Sequence, residues 1–135
     1  FSICKMPDSV RSQVQAFCGV SCATAFVFWA WAIYNMVSKK VPFDLGCISF
    51  ATVIASSAVG LISTLPSTSR VWRDAHFHTY FPSCSFVSVN YVLGVVLVAK
   101  TGFRVYCTTA ALAWLLGGLY GRKLGALWRQ EDCLR

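Results

Sequence analysis

Two long stretches of this chain contain no charged residue. None of its Lys, Arg, Asp or Glu residues falls between Val14 and Val37, or between Leu45 and Leu65. Each stretch exceeds the roughly 18 apolar residues at which a segment becomes a candidate membrane-spanning helix. The pattern therefore predicts two transmembrane helices, over residues 14–37 and 45–65.

A third uncharged stretch runs from Thr79 to Ala99. It opens with an aromatic segment that contains Pro82, a residue that disfavours the interior of a helix. We therefore expect the third helix to begin after this proline and to occupy residues 83–99.

The last uncharged stretch is short. At about 1.5 Å per residue, the segment from Val105 to Tyr120 reaches only ~24 Å, less than a hydrocarbon core of ~30 Å. It becomes long enough if Arg104 at one end, and Arg122 and Lys123 at the other, belong to the helix and extend their charged ends to the two interfaces. The pattern predicts a fourth helix over residues 105–121.

The predicted fold class is an all-α membrane protein, with residues 1–135 forming a single membrane domain. The links at 38–44 and 100–104 are short, so the four transmembrane helices are expected to form two antiparallel hairpins with both termini on the same side. Residues 66–82 are predicted to form a polar interfacial loop, and residues 122–135 a polar C-terminal tail.

The positions of the basic residues predict the orientation of this bundle. In the four-helix arrangement, eight Lys and Arg residues lie on the side of the termini and four on the other side. Basic residues favour the cytoplasmic side of a bacterial membrane or the matrix side of the mitochondrial inner membrane. The eight are Lys5, Arg11, Arg70, Arg73, Arg122, Lys123, Arg129 and Arg135, and the four are Lys39, Lys40, Lys100 and Arg104.

Composition agrees with a membrane location. Hydrophobic residues make up 56% of the chain and charged residues only 13%, with a net charge of +7. The basic residues are scattered singly or in pairs, so the charge favours contact with anionic phospholipids such as cardiolipin and not with nucleic acid. The candidate contacts to lipid or to a partner protein are Arg70, Arg73, His76, His78, Arg122 and Lys123.

Small residues recur every four positions in the fourth helix. Ala113, Gly117, Gly121 and Gly125 extend a series that starts at Thr109, and the last three form a double G-x-x-x-G pattern. In lipid, apolar burial supplies little drive for helices to associate, and a stripe of small residues allows close backbone packing. We predict that these four residues form a helix-packing face toward a neighbour inside or outside this chain.

The residues that carry chemistry are few and dispersed. His76 and His78 are the only histidines; in an extended segment they would point the same way, but two ligands do not make a metal site. The seven cysteines include no C-x-x-C pair, and Cys18 and Cys22, one helical turn apart, are interpreted as small residues at a helix contact. We predict no catalytic, cofactor-binding or metal-ligating residue and no cofactor.

Asn90 is the one strongly polar side chain that we place deep in a predicted helix. It fits an interhelical hydrogen bond, with a pocket for a quinone or a lipid headgroup as the alternative. No acidic residue is expected inside a span, unlike in proton relays and ion-coupled transporters.

The leading functional hypothesis is a non-enzymatic accessory subunit of a large energy-converting complex of the mitochondrial inner membrane, either a respiratory complex or ATP synthase. Its partners would be the other subunits. The first residues, Phe1 and Ser2, suit the end left by removal of a presequence. The alternative is a small channel, carrier or lipid-binding protein that acts as a homo-oligomer, and a plastid or another membrane stays open as the location.

Overall fold

The computed structural model of this chain describes residues 6–39, 45–66, 68–97 and 100–130. Over these residues it is all-helical, with four α-helices: α1, Met6–Ser38; α2, Leu45–Ser63; α3, Arg70–Leu97; and α4, Thr101–Gln130. Three helical segments are long and apolar enough to cross a membrane, namely Val10–Ser38, Leu45–Ser63 and Arg70–Leu97. A multi-pass membrane protein is the class that these segments indicate.

α4 is not among the segments that meet this criterion in the described part of the chain. Its uncharged run is bounded by Arg104 and Arg122 and interrupted by Thr, Gly, Trp and Tyr residues, which lower its hydrophobicity. Both arginines and Lys123 nevertheless lie within the helix. The helix is therefore long enough to place these charged ends at two interfaces, about 27 Å apart between residues 104 and 122 at ~1.5 Å per residue.

The predicted loop at residues 66–82 is wrong over most of its length, because α3 already begins at Arg70. The hydroxyl of Ser69 accepts a hydrogen bond from the backbone N–H of Val71, at 3.2 Å, which is the capping arrangement expected at a helix N-terminus. Pro82 lies inside α3, where it leaves one carbonyl of the preceding turn without its helical donor. A proline within a helix does not end it when packing on neighbouring helices stabilises both halves.

Two other helices are also longer than predicted, whereas α2 ends at Ser63, before the predicted position 65. α1 starts at Met6, before the predicted position 14, and α4 runs from Thr101 to Gln130, so the first part of the predicted polar tail is helical. Hydropathy finds the apolar part of a helix, whereas polar turns at its ends are added by contacts with other helices. The predicted helix residues 98–99 and the ends 1–5 and 131–135 lie outside the described residues.

The four helices pack in the cyclic order α1, α2, α3, α4, with α1 also against α4. Two apolar clusters of described residues lie in the interior. One includes Ala25, Phe50 and Val87, and the other joins Val14 of α1 to Trp128 of α4. Large apolar side chains are exposed on all four helices, as expected where lipid surrounds a helical bundle.

Candidate functional site

The polar centre of the bundle is a set of hydrogen-bonding side chains from α1, α2 and α3, all of them buried except that of Thr79, which is exposed. We define it as Cys18, Ser21, Ser56, Ser57, His76, Thr79 and Tyr80. His76 is its only histidine, and only 2% of this residue is exposed. Buried polar groups are normally hydrogen-bonded, so the partners of His76 determine whether its ring is available for chemistry.

His76 bonds to both neighbouring helices. Its Nδ1 lies 2.8 Å from the backbone oxygen of Ser56 in α2. A carbonyl oxygen only accepts, so Nδ1 carries a hydrogen and donates it. In the neutral ring Nε2 then holds a lone pair, and it faces the Sγ of Cys18 in α1 at 3.6 Å, where the thiol donates.

Gly60 provides the space for this pair. A Cβ placed on Gly60 would lie 2.5 Å from the Sγ of Cys18 and 2.8 Å from both Cε1 and Nδ1 of His76. These separations are shorter than van der Waals contact, so any side chain at this position displaces the histidine or the thiol. The imidazole therefore packs directly on the backbone of α2.

Hydroxyl groups form the rest of the polar centre. Ser57 donates to the Oγ of Ser21 at 3.2 Å, and Ser21 is 2.6 Å from the hydroxyl of Tyr80. On the other side, the Oγ of Ser56 is 2.7 Å from the Oγ1 of Thr79. Since Thr79 donates its own hydrogen to a carbonyl of α3, Ser56 is the donor in that pair. The polar centre thus joins α1, α2 and α3 through hydrogen bonds among its own members.

The last turns of α4 are attached to α2 and α3 by side-chain contacts. The indole N–H of Trp128 donates to the Oγ of Ser63 at 2.9 Å. The guanidinium of Arg73 lies 4.0 Å from the centre of the Trp128 ring and donates to the Trp128 carbonyl at 3.3 Å, while Arg70 donates to the Arg129 carbonyl at 2.7 Å. The final carbonyls of a helix have no partner within it, so these two arginines act as a C-terminal cap supplied by α3.

An ion pair adds to this attachment. The Nε of Arg129 lies 3.0 Å from the Oδ1 of Asp74, and both side chains are about two-fifths exposed. Exposed ion pairs contribute ~0–1 kcal/mol. The pair therefore orients the helix end more than it stabilises the bundle.

The chemistry open to the polar centre is restricted by its burial. Cys18 and His76 have the order of contacts seen in a nucleophile and its base, with the Ser56 carbonyl orienting the ring. The side chain of Cys18 is fully buried, however, so a substrate would have to displace packed residues to reach it. Among the described residues, no group of three or more His, Cys, Asp or Glu side chains is placed to hold a metal ion.

An aromatic cavity lies at the other end of the bundle, beyond the Phe28 and Phe50 pair. Its volume is about 500 Å³, and all four helices contribute to its wall. Asn90 lines it and donates an amide hydrogen to the Leu45 carbonyl at 3.4 Å, in agreement with the predicted interhelical hydrogen bond. Asn35, which was not predicted as a site residue, lines the same cavity from α1.

A groove opens on the outside of the bundle between α1 and α4. Thr109, Ala113 and Gly117 form its α4 side, and Phe17 and Val20 belong to its α1 side. Its walls are mainly apolar, and its volume is about 460 Å³. We call this feature the α1/α4 groove.

The predicted helix-packing face is divided between this groove and the interior. Gly121 and Gly125 are buried, and a Cβ on Gly121 would overlap the ring of Tyr80. Ala113 is exposed, and no atom lies within 4 Å of a Cβ built on Gly117. Four residues advance an α-helix by about 400°, so a four-residue repeat rotates ~40° per step and leaves the interior.

The residues of α4 that do face the interior follow alternating steps of four and three. They include Gly118, against which Cys84 of α3 packs: a Cβ there would lie 2.8 Å from the Cβ of Cys84. Heptad-like spacing of this kind keeps one face toward neighbouring helices. The buried positions at this spacing are Cys107, Ala111, Gly118, Gly121, Gly125 and Trp128.

The residues predicted to contact lipid or a partner protein include both buried and exposed ones. His76 was expected on the surface in an extended segment, and both expectations are wrong: it lies on α3 and faces the interior, because successive helical residues rotate by about 100°. His78, two residues on, is exposed. Arg122 and Lys123 are exposed on α4, with the guanidinium of Arg122 lying 5.7 Å from the Phe81 ring.

Sequence reasoning missed the central role of Gly60 and the cavity position of Asn35. A glycine among Ser and Ala residues of an apolar helix signals close approach, but it does not name the partner. Asn35 stands near the end of a long apolar stretch, where a polar residue is easily attributed to the interface.

Comparison with protein families, with characterised proteins and with solved structures finds no match to this chain.

Proposed function

We propose that this protein is a non-catalytic structural subunit of a larger membrane assembly. The observation that carries the proposal is the α1/α4 groove, in which Ala113 and Gly117 leave a helix backbone open to the surroundings. Small residues at a lipid-facing position allow another transmembrane helix to approach closely. A helix of a neighbouring subunit is the occupant that fits this groove.

The transmembrane arrangement that we propose is four spans in two antiparallel hairpins. Contacts between α1 and α2 pair Cys18 with Gly60 near one end and Phe28 with Phe50 toward the other, so residue numbers rise in one helix as they fall in the next. Contacts between α3 and α4 run the same way. They pair residues 77 with 125, 84 with 118, and 94 with 107. With α4 spanning as well, both termini lie on one side.

The polar interior supports a structural role over transport. Each buried serine of α2 uses its hydroxyl inside the bundle, either on a backbone carbonyl or on a hydroxyl of another helix. A permeation path needs polar groups that exchange partners with the moving solute. For a channel or carrier, the alternative function, reconstituted vesicles would show flux that Asn90→Leu abolishes.

We place the assembly in the mitochondrial inner membrane, with the termini on the matrix side, as part of a respiratory complex or ATP synthase. The larger number of basic residues on the proposed side of the termini supports this orientation. Arg122 and Lys123, exposed about two turns before the end of α4, are suited to anionic headgroups such as those of cardiolipin.

The test measures whether the chain migrates as part of a larger membrane assembly. Source membranes dissolved in gentle detergent are run on a native gel, and the band that contains this chain is identified by mass spectrometry. We expect a band far above 14.9 kDa that holds other membrane subunits. Migration of the chain as a small species would contradict the proposal.

Two variants make the test specific to the groove. Gly117→Leu fills the α1/α4 groove, and Gly102→Leu adds the same side chain to an exposed position of α4; neither has an atom within 4 Å of its added Cβ. Both are expected to fold in isolation, but only Gly117→Leu should lose the large band. Equal incorporation of the two variants would show that no partner helix occupies the groove.

A further inference from the structure

The aromatic cavity has the properties of a binding site for a small molecule. Its volume of about 500 Å³ is within the ~300–1,000 Å³ range of ligand pockets, which are lined by apolar and aromatic groups with a few polar ones. Among the residues that the structure describes, no charged side chain lines it. Six aromatic side chains do so: Phe28, Trp31, Phe50, Tyr91, Phe103 and Tyr106.

Asn35, which lines this cavity, carries an acceptor that lacks a partner among the described residues. Its Oδ1 is buried and has no hydrogen-bond partner among the residues that the structure describes. Buried amide oxygens are normally hydrogen-bonded, and an oxygen of this kind can only accept. The group that completes the site is therefore a donor.

A pair of phenols adds a donor. The hydroxyl oxygens of Tyr91 and Tyr106 are 3.3 Å apart, and both residues line the cavity. One hydroxyl donates to the other, so the second keeps its hydrogen for a further partner. The cavity thus presents an acceptor and a donor within an aromatic wall.

From these features we infer that the cavity binds a neutral phenolic lipid, meaning a hydroxylated aromatic ring that carries an apolar tail. The hydroxyl donates to the Oδ1 of Asn35, and the ring packs among the aromatic side chains, whose edge-to-face contacts favour a flat π-system. The described wall residues carry no charge that could pair with a carboxylate or phosphate headgroup, which argues against such a ligand. The inference does not depend on whether the chain is a subunit of an assembly.

The test uses decylphenol and its methyl ether, in which a methyl group replaces the donor hydrogen. The purified full chain in nanodiscs is titrated with each compound, and binding is followed by quenching of tryptophan fluorescence. We expect saturable binding of the phenol and about tenfold weaker binding of the ether, the effect of one buried hydrogen bond. Asn35→Leu should remove the difference between the two compounds.

A matched pair of variants tests the inference independently if Asn35→Leu does not fold. Ala32→Phe places a ring in the cavity, whereas Ala30→Phe adds the same ring to an exposed position of α1. Saturable binding should be lost in the first variant and kept in the second. Equal binding of phenol and ether to the unmodified chain, equal binding to both Phe variants, or tighter binding of a sterol than of the phenol would each overturn the inference.

Discussion

Replacing Gly60 by alanine tests whether the polar centre holds the bundle together. The new Cβ would lie 2.5 Å from the Sγ of Cys18 and 2.8 Å from two ring atoms of His76. Overpacking of this kind costs about 1–3 kcal/mol. A histidine that moves away also loses its 2.8 Å hydrogen bond to the Ser56 carbonyl, which costs a further ~1–2 kcal/mol because both groups are buried.

One term acts in the opposite direction. Alanine is favoured over glycine in a helix by about 1 kcal/mol. The net loss in the free energy of unfolding is therefore expected to be about 1–4 kcal/mol. The assay is reversible unfolding of the purified protein in mixed micelles with increasing SDS, followed by circular dichroism.

Gly117→Ala is the matched control. Its Cβ meets no atom within 4 Å, so we expect no loss and a gain of at most ~1 kcal/mol. Removing the nearest obstacle, as in the double variant Gly60→Ala with Cys18→Ala, should recover part of the lost stability. The reasoning is refuted if Gly60→Ala unfolds within about 0.5 kcal/mol of the unmodified chain, or if Gly117→Ala loses as much.

Three further predictions concern the attachment of α4 and the burial of the cysteines. Trp128→Phe removes the N–H donor to Ser63 and should lower the free energy of unfolding by about 1–2 kcal/mol in the same SDS titration. Asp74→Asn breaks an exposed ion pair with Arg129 and should cost less than ~1 kcal/mol, with a smaller effect at high salt. In a variant whose cysteines outside the described residues are replaced by serine, N-ethylmaleimide should modify the half-buried Cys22 well before the four buried cysteines of the described helices, as read by mass spectrometry.

Each of these has a clear contrary outcome. An unchanged SDS midpoint for the tryptophan variant would show that the indole hydrogen bond contributes nothing. A loss above 2 kcal/mol from the aspartate variant, independent of salt, would mean that the ion pair is not screened by solvent. Simultaneous labelling of all five thiols would indicate that the helices open on the timescale of the reaction.

The helical class could be predicted from the sequence because hydrophobicity is a local property. A window of uncharged apolar residues needs a hydrogen-bonded helix in lipid whatever its neighbours are, so the first two helices were located without a structure. The start of α3 was missed for a related reason. Pro82 and the aromatic residues before it conflict with local helix rules, and the packing that overrides them comes from other helices.

The polar centre and the packing face required the tertiary structure. Cys18, Ser56 and His76 come from three helices, and their meeting depends on the rotation of each helix about its own axis. The same rotation decides that Gly121 is buried while Gly117 opens on a groove. In the sequence, both glycines belong to the same four-residue repeat, which does not show which of them is buried. By itself, the sequence determined that the chain forms apolar helices, because that follows from the cost of placing unpaired backbone and charge in lipid. Which side chains meet was decided by the tertiary structure, because contact depends on how all four helices share one interior.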